Sequence, residues 1–505
     1  MIRRRFILPA FVFFLLSIFP ISRAAAENTF SLPEGWGEIG WEGENRSRYY
    51  GVDYFSADQD NDYAFGSNQL KIGADWDHPL FDLAAAVQYT QLIGLPESTS
   101  SGAGAGSLYF ANTRTDDPGS VYLKYLHLDT KEIGDTGLTF SGGRFDFESG
   151  NGYRTGTGKG LEAGDPHARE SKQVRWLKSQ RIGERLIGGF GWSEFQRSFD
   201  GVAASWDTEP LHVRTAVFHP TQGGFEERAG STMNGIDVVA TELTLKKDVW
   251  GRGTEFQLLH YYYGDSRALL STTGRPDNTG RAVLAGEESD IGIHTIGGHA
   301  ATAFRLAEGV LADGFVWGVH QSGSWFEEDV DAWAVAVEGG VQFDGCPWEP
   351  WIRGGWNAGS GDSDPRDGDH ETFFQMVPTA RLYSWSILYN LMNTEDAFVM
   401  LLLRPVKPLN IRMDVHFVRL AESADRWYLG SGAGESSRDI GFAVRPSNGS
   451  RDLGTLWDAQ ATWQFEELFS LTGYFGHFFG GDVVESLFPE QSDSNFGFLE
   501  LDAKF

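Results

Sequence analysis

The chain has 505 residues and a formal net charge of −29 at pH 7. So acidic a protein repels the phosphate backbone, which argues against nucleic acid as a partner. Its single cysteine, Cys346, excludes an internal disulfide. The 63 glycines and 14% aromatic residues suit soluble β-proteins and membrane barrels alike, so composition alone selects neither class.

The first 26 residues have the three parts of a secretory signal peptide. Arginines occupy positions 3–5, an apolar run covers 6–21, and three alanines end at Ala26. We predict cleavage after Ala26, which removes four arginines and lowers the formal charge to −33. An uncleaved helical anchor is the alternative. After this segment, no apolar run reaches the roughly 18 residues that a membrane helix needs.

Segments in which apolar and polar side chains alternate recur along the rest of the chain. Clear examples cover residues 70–77, 333–344, 411–417, 457–466 and 496–505. Alternation over about ten residues is typical of a strand with lipid on one face and water on the other. The last segment ends at Phe505, like the signature that outer-membrane proteins present to the barrel-assembly machinery. A soluble amphipathic strand is the alternative.

Short and long links alternate strictly between the predicted strands. The short links lie at 77–79, 130–136, 208–210, 247–252, 306–313, 344–348, 405–408 and 466–467. The long links lie at 49–68, 91–120, 147–199, 219–235, 264–290, 322–331, 358–396, 420–454 and 479–495. Eight short and nine long links join 18 strands, an even number that leaves both termini in the periplasm.

The predicted fold class is therefore all-β. We expect one transmembrane antiparallel β-barrel of 18 strands over residues 27–505, in the bacterial outer membrane. Its short turns should face the periplasm and its long loops the exterior. Its outer face should contact lipid and lipopolysaccharide.

Three segments resemble the alginate-export family of outer-membrane barrels. They are Gly143-Arg144-Phe145-Asp146 followed by Gly150, Arg154 and Gly156; Gly191-Trp192 with Arg197-Ser198-Phe199-Asp200-Gly201; and the acidic Gly/Asp loop 359–369, which leads to Thr372-Phe373. The resemblance spans roughly residues 36–505. It implies an 18-stranded, porin-like barrel, in agreement with the strand count. We expect passage of a hydrophilic solute or polysaccharide, anionic ones included, without a cofactor.

The link 147–199 is locally basic in an acidic chain. It holds nine basic residues, among them Arg154, Arg175 and Arg197, and six acids. If this insert folds inward, its guanidinium groups form a constriction that pairs with carboxylates of a solute. The alternative is a surface loop whose bases pair with its own acids or with lipid phosphates.

Side-chain alternation along the predicted strands places three more arginines on the lumenal face. These pore or substrate-binding candidates are Arg214, Arg353 and Arg412. Acids share the same face, so the predicted wall is mixed rather than strongly basic. Arg144 is a further candidate, but its parity matches that of the lipid-facing Leu138. It needs a bulge, or a position above the membrane, to reach the lumen.

One acidic cluster suggests a metal. Hard cations such as calcium prefer several carboxylate oxygens on a flexible loop, and the candidates are Asp362, Asp364, Asp367 and Asp369. Their spacing does not match an EF-hand loop. A solvated acidic loop is the alternative.

No catalytic motif occurs in the sequence: there is no Gly-x-Ser-x-Gly, no His-Glu-x-x-His and no phosphate-cradling Gly-Lys-Ser/Thr. We therefore predict a channel and not an enzyme. Two alternatives stay open. One is a surface receptor or adhesin with a blocked pore; the other is a lipid hydrolase that uses the lumenal His212 or His416.

Overall fold

The structure is a computed structural model that describes residues 29–57, 60–99, 103–150, 168–246, 253–269, 277–281, 286–379, 382–429, 432, 440 and 442–505. In this part of the chain, 18 antiparallel strands form one closed barrel. The first strand pairs with the last, with Tyr50 opposite Phe498, and this pairing closes the sheet. The predicted signal peptide lies outside the described residues.

The barrel strands are β1 Glu38–Asp53, β2 Asp62–His78, β3 Phe81–Ile93, β4 Gly119–Thr130, β5 Leu138–Phe145, β6 Phe199–Asp207, β7 Leu211–Pro220, β8 Ile236–Leu245, β9 Thr254–Asp265, β10 Ile291–Ala307, β11 Val310–Trp325, β12 Glu328–Gln342, β13 Trp351–Gly359, β14 Thr394–Val406, β15 Leu409–Leu420, β16 Asp452–Glu466, β17 Phe469–Gly480 and β18 Ser494–Lys504. Four short strands lie outside this series: Thr29–Ser31, Asp369–His370, Arg426–Leu429 and Ala443–Pro446.

The helices are α1 Gly104–Thr113, α2 Ala168–Leu177 and α3 Asp482–Leu487, with a π-helical turn at Lys178–Ile182 directly after α2. Among the helices described, none has the length and apolar character to cross a membrane.

Apolar side chains cover the outside of the barrel because alternate residues of each strand point outward. Exposed examples are Val202, Leu258, Val316 and Phe417. The register of β15 and β16 places Ile411 opposite Ala461. The side chains that the sequence predicts to face outward on these strands therefore do face outward in the structure.

The short turns fall close to their predicted positions, but one predicted long link is wrong. Residues 322–331 form a tight hairpin, because β11 continues to Trp325 and β12 begins at Glu328. Ser322 pairs with Asp331 in the antiparallel ladder. The sequence predicted a loop there, whereas the backbone hydrogen bonds of the ladder continue beyond the apolar part of both strands.

Two long links enter the barrel instead of covering its mouth. The first is the insert, residues 147–199, described at 147–150 and from residue 168 onward. The second, which we name the inner loop, covers residues 360–393. Large apolar side chains of both are fully buried, including Phe190, Phe195 and Phe374. The main hydrophobic core therefore lies inside the barrel, between these loops and the wall.

The register of β16 makes a direct test of membrane orientation possible. Ala461 is exposed on the outer face, and its neighbour Gln460 points inward. Arginine facing lipid near the membrane midplane costs roughly 2–4 kcal/mol, whereas arginine in the lumen stays hydrated. We expect Ala461→Arg to lower the heat-modifiable, folded fraction on gels, and Gln460→Arg to leave it unchanged. Equal effects of the two variants would contradict the register.

Candidate functional site

The insert crosses the bore from one wall to the opposite wall. On one side, Arg46 Nη2 of β1 donates a 2.7 Å hydrogen bond to the carbonyl oxygen of Ser193. On the other side, Lys178 Nζ lies 2.8 Å from the carboxylate of Glu255 on β9. In an 18-stranded barrel these strands face each other across the lumen. The insert therefore lies inside the barrel and not on its surface.

Glu194 anchors the insert to the first three strands. Its carboxylate accepts hydrogen bonds from Arg48 Nη1 at 3.2 Å and from the hydroxyl of Tyr50. Its carbonyl oxygen accepts hydrogen bonds from Gln69 Nε2 at 2.8 Å and Thr90 Oγ1 at 3.0 Å. Glu194 is fully buried, so Arg48 and Tyr50 replace part of the water that its charge would otherwise need.

Three arginines surround Glu338 on β12. Arg181 of the insert forms a forked pair with it, with Nε at 2.9 Å and Nη2 at 2.8 Å. Arg185 Nη2 and Arg353 Nη2 lie 3.3 and 3.5 Å from the same carboxylate. Arg353 also pairs with Asp313. Three guanidinium groups share two carboxylates here, which leaves a formal surplus of one positive charge.

Inward-facing side chains become more exposed toward the periplasmic end of the strands. On β18, Phe498 is buried, Glu500 is half-buried and Lys504 is exposed. On β15, His416 is buried and Arg412 is half-buried. The same gradient in several strands outlines a water-accessible space, the periplasmic vestibule, below the level that the insert and the inner loop fill.

Three side chains form a polar and aromatic surface at the inner end of the vestibule. Arg412 stands opposite Gln460 in the ladder between β15 and β16. Trp385 of the inner loop donates from Nε1 to Gln460 Oε1 at 3.0 Å. We name Arg412, Gln460 and Trp385 the ledge. All three are half-buried, and the Arg412 side chain is 20% exposed.

The other predicted arginines occupy different environments. Arg197 is fully buried, and its Nη1 donates to the carbonyl oxygens of Gly188 and Val377, which joins the insert to the inner loop. Arg175 is half-buried on α2. Arg214 is half-buried, with its guanidinium carbon 4.5 Å from the centre of the Phe147 ring. Arg353 belongs to the Glu338 cluster. Arg154 lies outside the described residues.

Arg144, a predicted pore candidate, lies on the outer face of the barrel and not in the lumen. Its Nε and Nη2 each lie 2.7 Å from a carboxylate oxygen of Asp200, its direct partner in the β5–β6 ladder. Phe140 and Val202, which share this face, are exposed. No bulge interrupts the β5–β6 pairing, so parity keeps Arg144 outside and Asp200 neutralises it there.

The four predicted calcium residues differ in burial. Asp362 is buried, whereas Asp364, Asp367 and Asp369 are exposed. The Asp364 and Asp367 carboxylates accept backbone N–H groups of their own loop. Burial and the nearby Asp425 carboxylate raise the pKa of Asp362 to about 7. These four residues form no three-ligand group within the described part of the chain, and calcium binding stays a prediction.

Sequence reasoning missed both Glu194 and a group formed by Asp414, His416 and Asp458. One potential ligand atom from each member of the group lies within 4.8 Å of the others. Parity placed all three in the lumen, and the short β15–β16 link makes those strands neighbours. The exact register, which no sequence motif revealed, sets Asp414 opposite Asp458.

These features define the class of the protein. A closed antiparallel barrel with an apolar outside, a polar interior and inward loops is an outer-membrane channel for hydrophilic solutes. The family described as alginate export matches residues 177–498, which is more than half of the chain. The chain belongs to the alginate export family and resides in the bacterial outer membrane, in contact with lipid.

Solved structures support the same architecture. OccAB4 of Acinetobacter baumannii is 10% identical, with 94% of this chain and 100% of that chain covered and a TM-score of 0.55. OccAB1 of the same organism is 9% identical, with coverages of 94% and 98% and a TM-score of 0.56. OpdK of Pseudomonas aeruginosa with vanillate is 9% identical, with coverages of 92% and 98% and a TM-score of 0.52. At these identities the likeness shows the fold. No curated protein matches the chain.

The Glu194 anchor generates a prediction about gating. Breaking a buried ion pair costs about 3–5 kcal/mol, so Glu194→Gln should loosen the insert. We expect more frequent and larger openings in single-channel recordings. The control is Glu395→Gln, which alters a carboxylate paired with Arg419 at 2.9 Å on the outer face. Recordings of Glu194→Gln that match those of the wild type would show that the insert is held elsewhere.

Proposed function

We propose that the channel conducts hydrophilic solutes that carry carboxylate groups and binds them at the ledge. The observation that carries this proposal is the partial exposure of the Arg412 side chain beside Gln460 and Trp385. A guanidinium group forms an ion pair with a carboxylate, and an amide forms hydrogen bonds with hydroxyl groups. An indole ring packs on the flat face of a sugar or of an aromatic ring. Arg412 uses Nε and Nη2 for Asp414, which is only part of its five-donor capacity.

The acidic rim of the vestibule does not oppose this proposal as strongly as its composition suggests. Glu44 pairs with Lys71 at 2.7 Å, and Asp77 pairs with Lys131 at 2.9 Å. These pairs weaken the negative field that an entering anion meets. Deeper in the bore, the arginines around Glu338 provide the positive surplus.

The comparisons support the same chemical class. Alginate is a polymer of sugar acids, and the vanillate bound to OpdK is an aromatic acid. Because the insert and the inner loop span the bore, passage of a polymer requires both to move. A small carboxylated solute requires a smaller displacement.

A second candidate function is a surface receptor whose bore stays closed. The observation that favours it is the insert itself, which contacts opposite walls of the barrel. Conductance of purified protein in planar bilayers separates the two: discrete, reproducible openings support the channel, and a silent bilayer supports the receptor.

We also propose that the chain has no hydrolytic activity. His416 is fully buried and pairs through Nδ1 with Asp396 at 2.9 Å, so an ester in the bilayer cannot reach it. His212 pairs with Asp207 at 2.9 Å near a periplasmic turn. A lipase assay of the purified protein should give no activity above that of the detergent blank.

Ion selectivity tests the role of the ledge. We expect Arg412→Gln to lower the preference for anions, because it removes a vestibule-facing positive charge and leaves Asp414. Reversal potentials across a salt gradient measure this preference. Arg419→Gln on the same strand is the matched control, since Arg419 is exposed and pairs with Glu395 on the outer face. One shared reversal potential for wild type and Arg412→Gln would refute binding at the ledge.

The C-terminal residue gives a separate proposal, that the barrel-assembly machinery reads the Phe505 side chain. The backbone N–H of Phe505 donates to the Gly43 carbonyl at 2.9 Å, so deletion would also weaken the closing seam. Phe505→Ala keeps that hydrogen bond and isolates the ring. We expect less folded protein in outer-membrane fractions for Phe505→Ala than for Leu499→Ala, an outward control on β18. Equal levels would remove the support for this proposal.

A further inference from the structure

Asp414, His416 and Asp458 form a group of potential metal ligands that is separate from the three residues of the ledge. All three side chains are fully or almost fully buried in the lumenal wall. His416 Nδ1 lies 2.9 Å from Asp396 Oδ1, and the Tyr389 hydroxyl lies 3.2 Å from the same nitrogen. A carboxylate at one ring nitrogen keeps the proton there and leaves the lone pair on the other, as in metal-binding histidines.

The second nitrogen of His416 points into the group. Its Nε2 lies 3.9 Å from Asp414 Oδ2 and has no hydrogen-bond partner among the described residues. Asp414 Oδ1 also lacks such a partner there. Leaving a buried polar atom unsatisfied costs roughly 1–3 kcal/mol, so a ligand that bound both atoms would remove that cost.

The formal charge indicates the sign of that ligand. Asp396, Asp414 and Asp458 supply three negative charges, and Arg412, which contacts Asp414, supplies one positive charge. A histidine that ligates a metal must be neutral, and with neutral His416 the group carries a formal charge of −2. A divalent cation balances it, which lowers the cost of burying the carboxylates.

We propose that Asp414, His416 and Asp458 bind a divalent transition-metal ion of the zinc class. One imidazole nitrogen and two carboxylate oxygens suit zinc, whereas calcium and magnesium prefer oxygen ligands alone. The ion would also brace the inner loop. Ser384 Oγ donates to Asp458 Oδ2 at 3.2 Å, and Tyr389 contacts His416. Metal binding would thus hold the loop that carries Trp385 of the ledge.

Zinc titration of metal-depleted, full-length protein in detergent tests the site. The wild type should bind one Zn²⁺ per chain, and His416→Gln and Asp458→Asn should each weaken binding roughly tenfold or more. His212→Gln is the control, because His212 also faces the lumen and pairs with an aspartate but belongs to no three-ligand group in the described structure. It should keep the wild-type affinity.

Two further measurements use the wild type, so they test the site even where heat-modifiability on gels shows that a variant folds poorly. X-ray absorption of the zinc-loaded wild type should show one histidine nitrogen among oxygen ligands. Zinc should also change the single-channel open probability of the wild type, relative to EDTA. Absence of bound zinc, retention of zinc by both folded variants, or a spectrum without imidazole would overturn the site. None of these readouts depends on which solute the channel conducts.

Discussion

The architecture depends on one constraint: in a bilayer, every backbone N–H and C=O must find a partner within the protein. A closed sheet meets this need, and here the pairing of β1 with β18 completes it. Closure then divides each strand into an outward and an inward set of side chains. The outward set must be apolar. The inward set is left to carry the charges, aromatic rings and histidines on which transport depends.

The interior follows a second rule, because charges in a filled lumen need partners. Arg181 and Arg185 enter the bore together with the insert and meet Glu338 on the wall. Glu194 enters with them and meets Arg48. The charges of the insert and those of the wall are thus complementary. This explains why a locally basic segment occurs in a strongly acidic chain.

Strand number and parity could be predicted from sequence because both arise from local alternation and turn spacing. The neighbours Ala461 and Gln460, for example, lie on opposite faces of the wall, as alternation along a strand requires. The partners of loop residues could not be predicted, since Glu194 and Arg48 are 146 residues apart and no pattern connects them. The hairpin at 325–328 was missed because hydrogen bonding, not hydrophobicity, extends those strands. Arg144 was a pore candidate only if a bulge, or a position above the membrane, turned it inward. The ladder is continuous there, and its partner Asp200 compensates the charge of Arg144 on the outer face.

The vestibule opens toward the periplasm, while the described loops fill the bore above it. An electrical potential across such a molecule falls mainly over the filled segment, because the open part conducts like the surrounding electrolyte. The buried charges of the insert then experience most of the applied field. Voltages of opposite sign would push those charges toward or away from the open side, so the current should differ between the two polarities. A cavity that is open on one side only should therefore make the conductance of the barrel depend on the sign of the voltage.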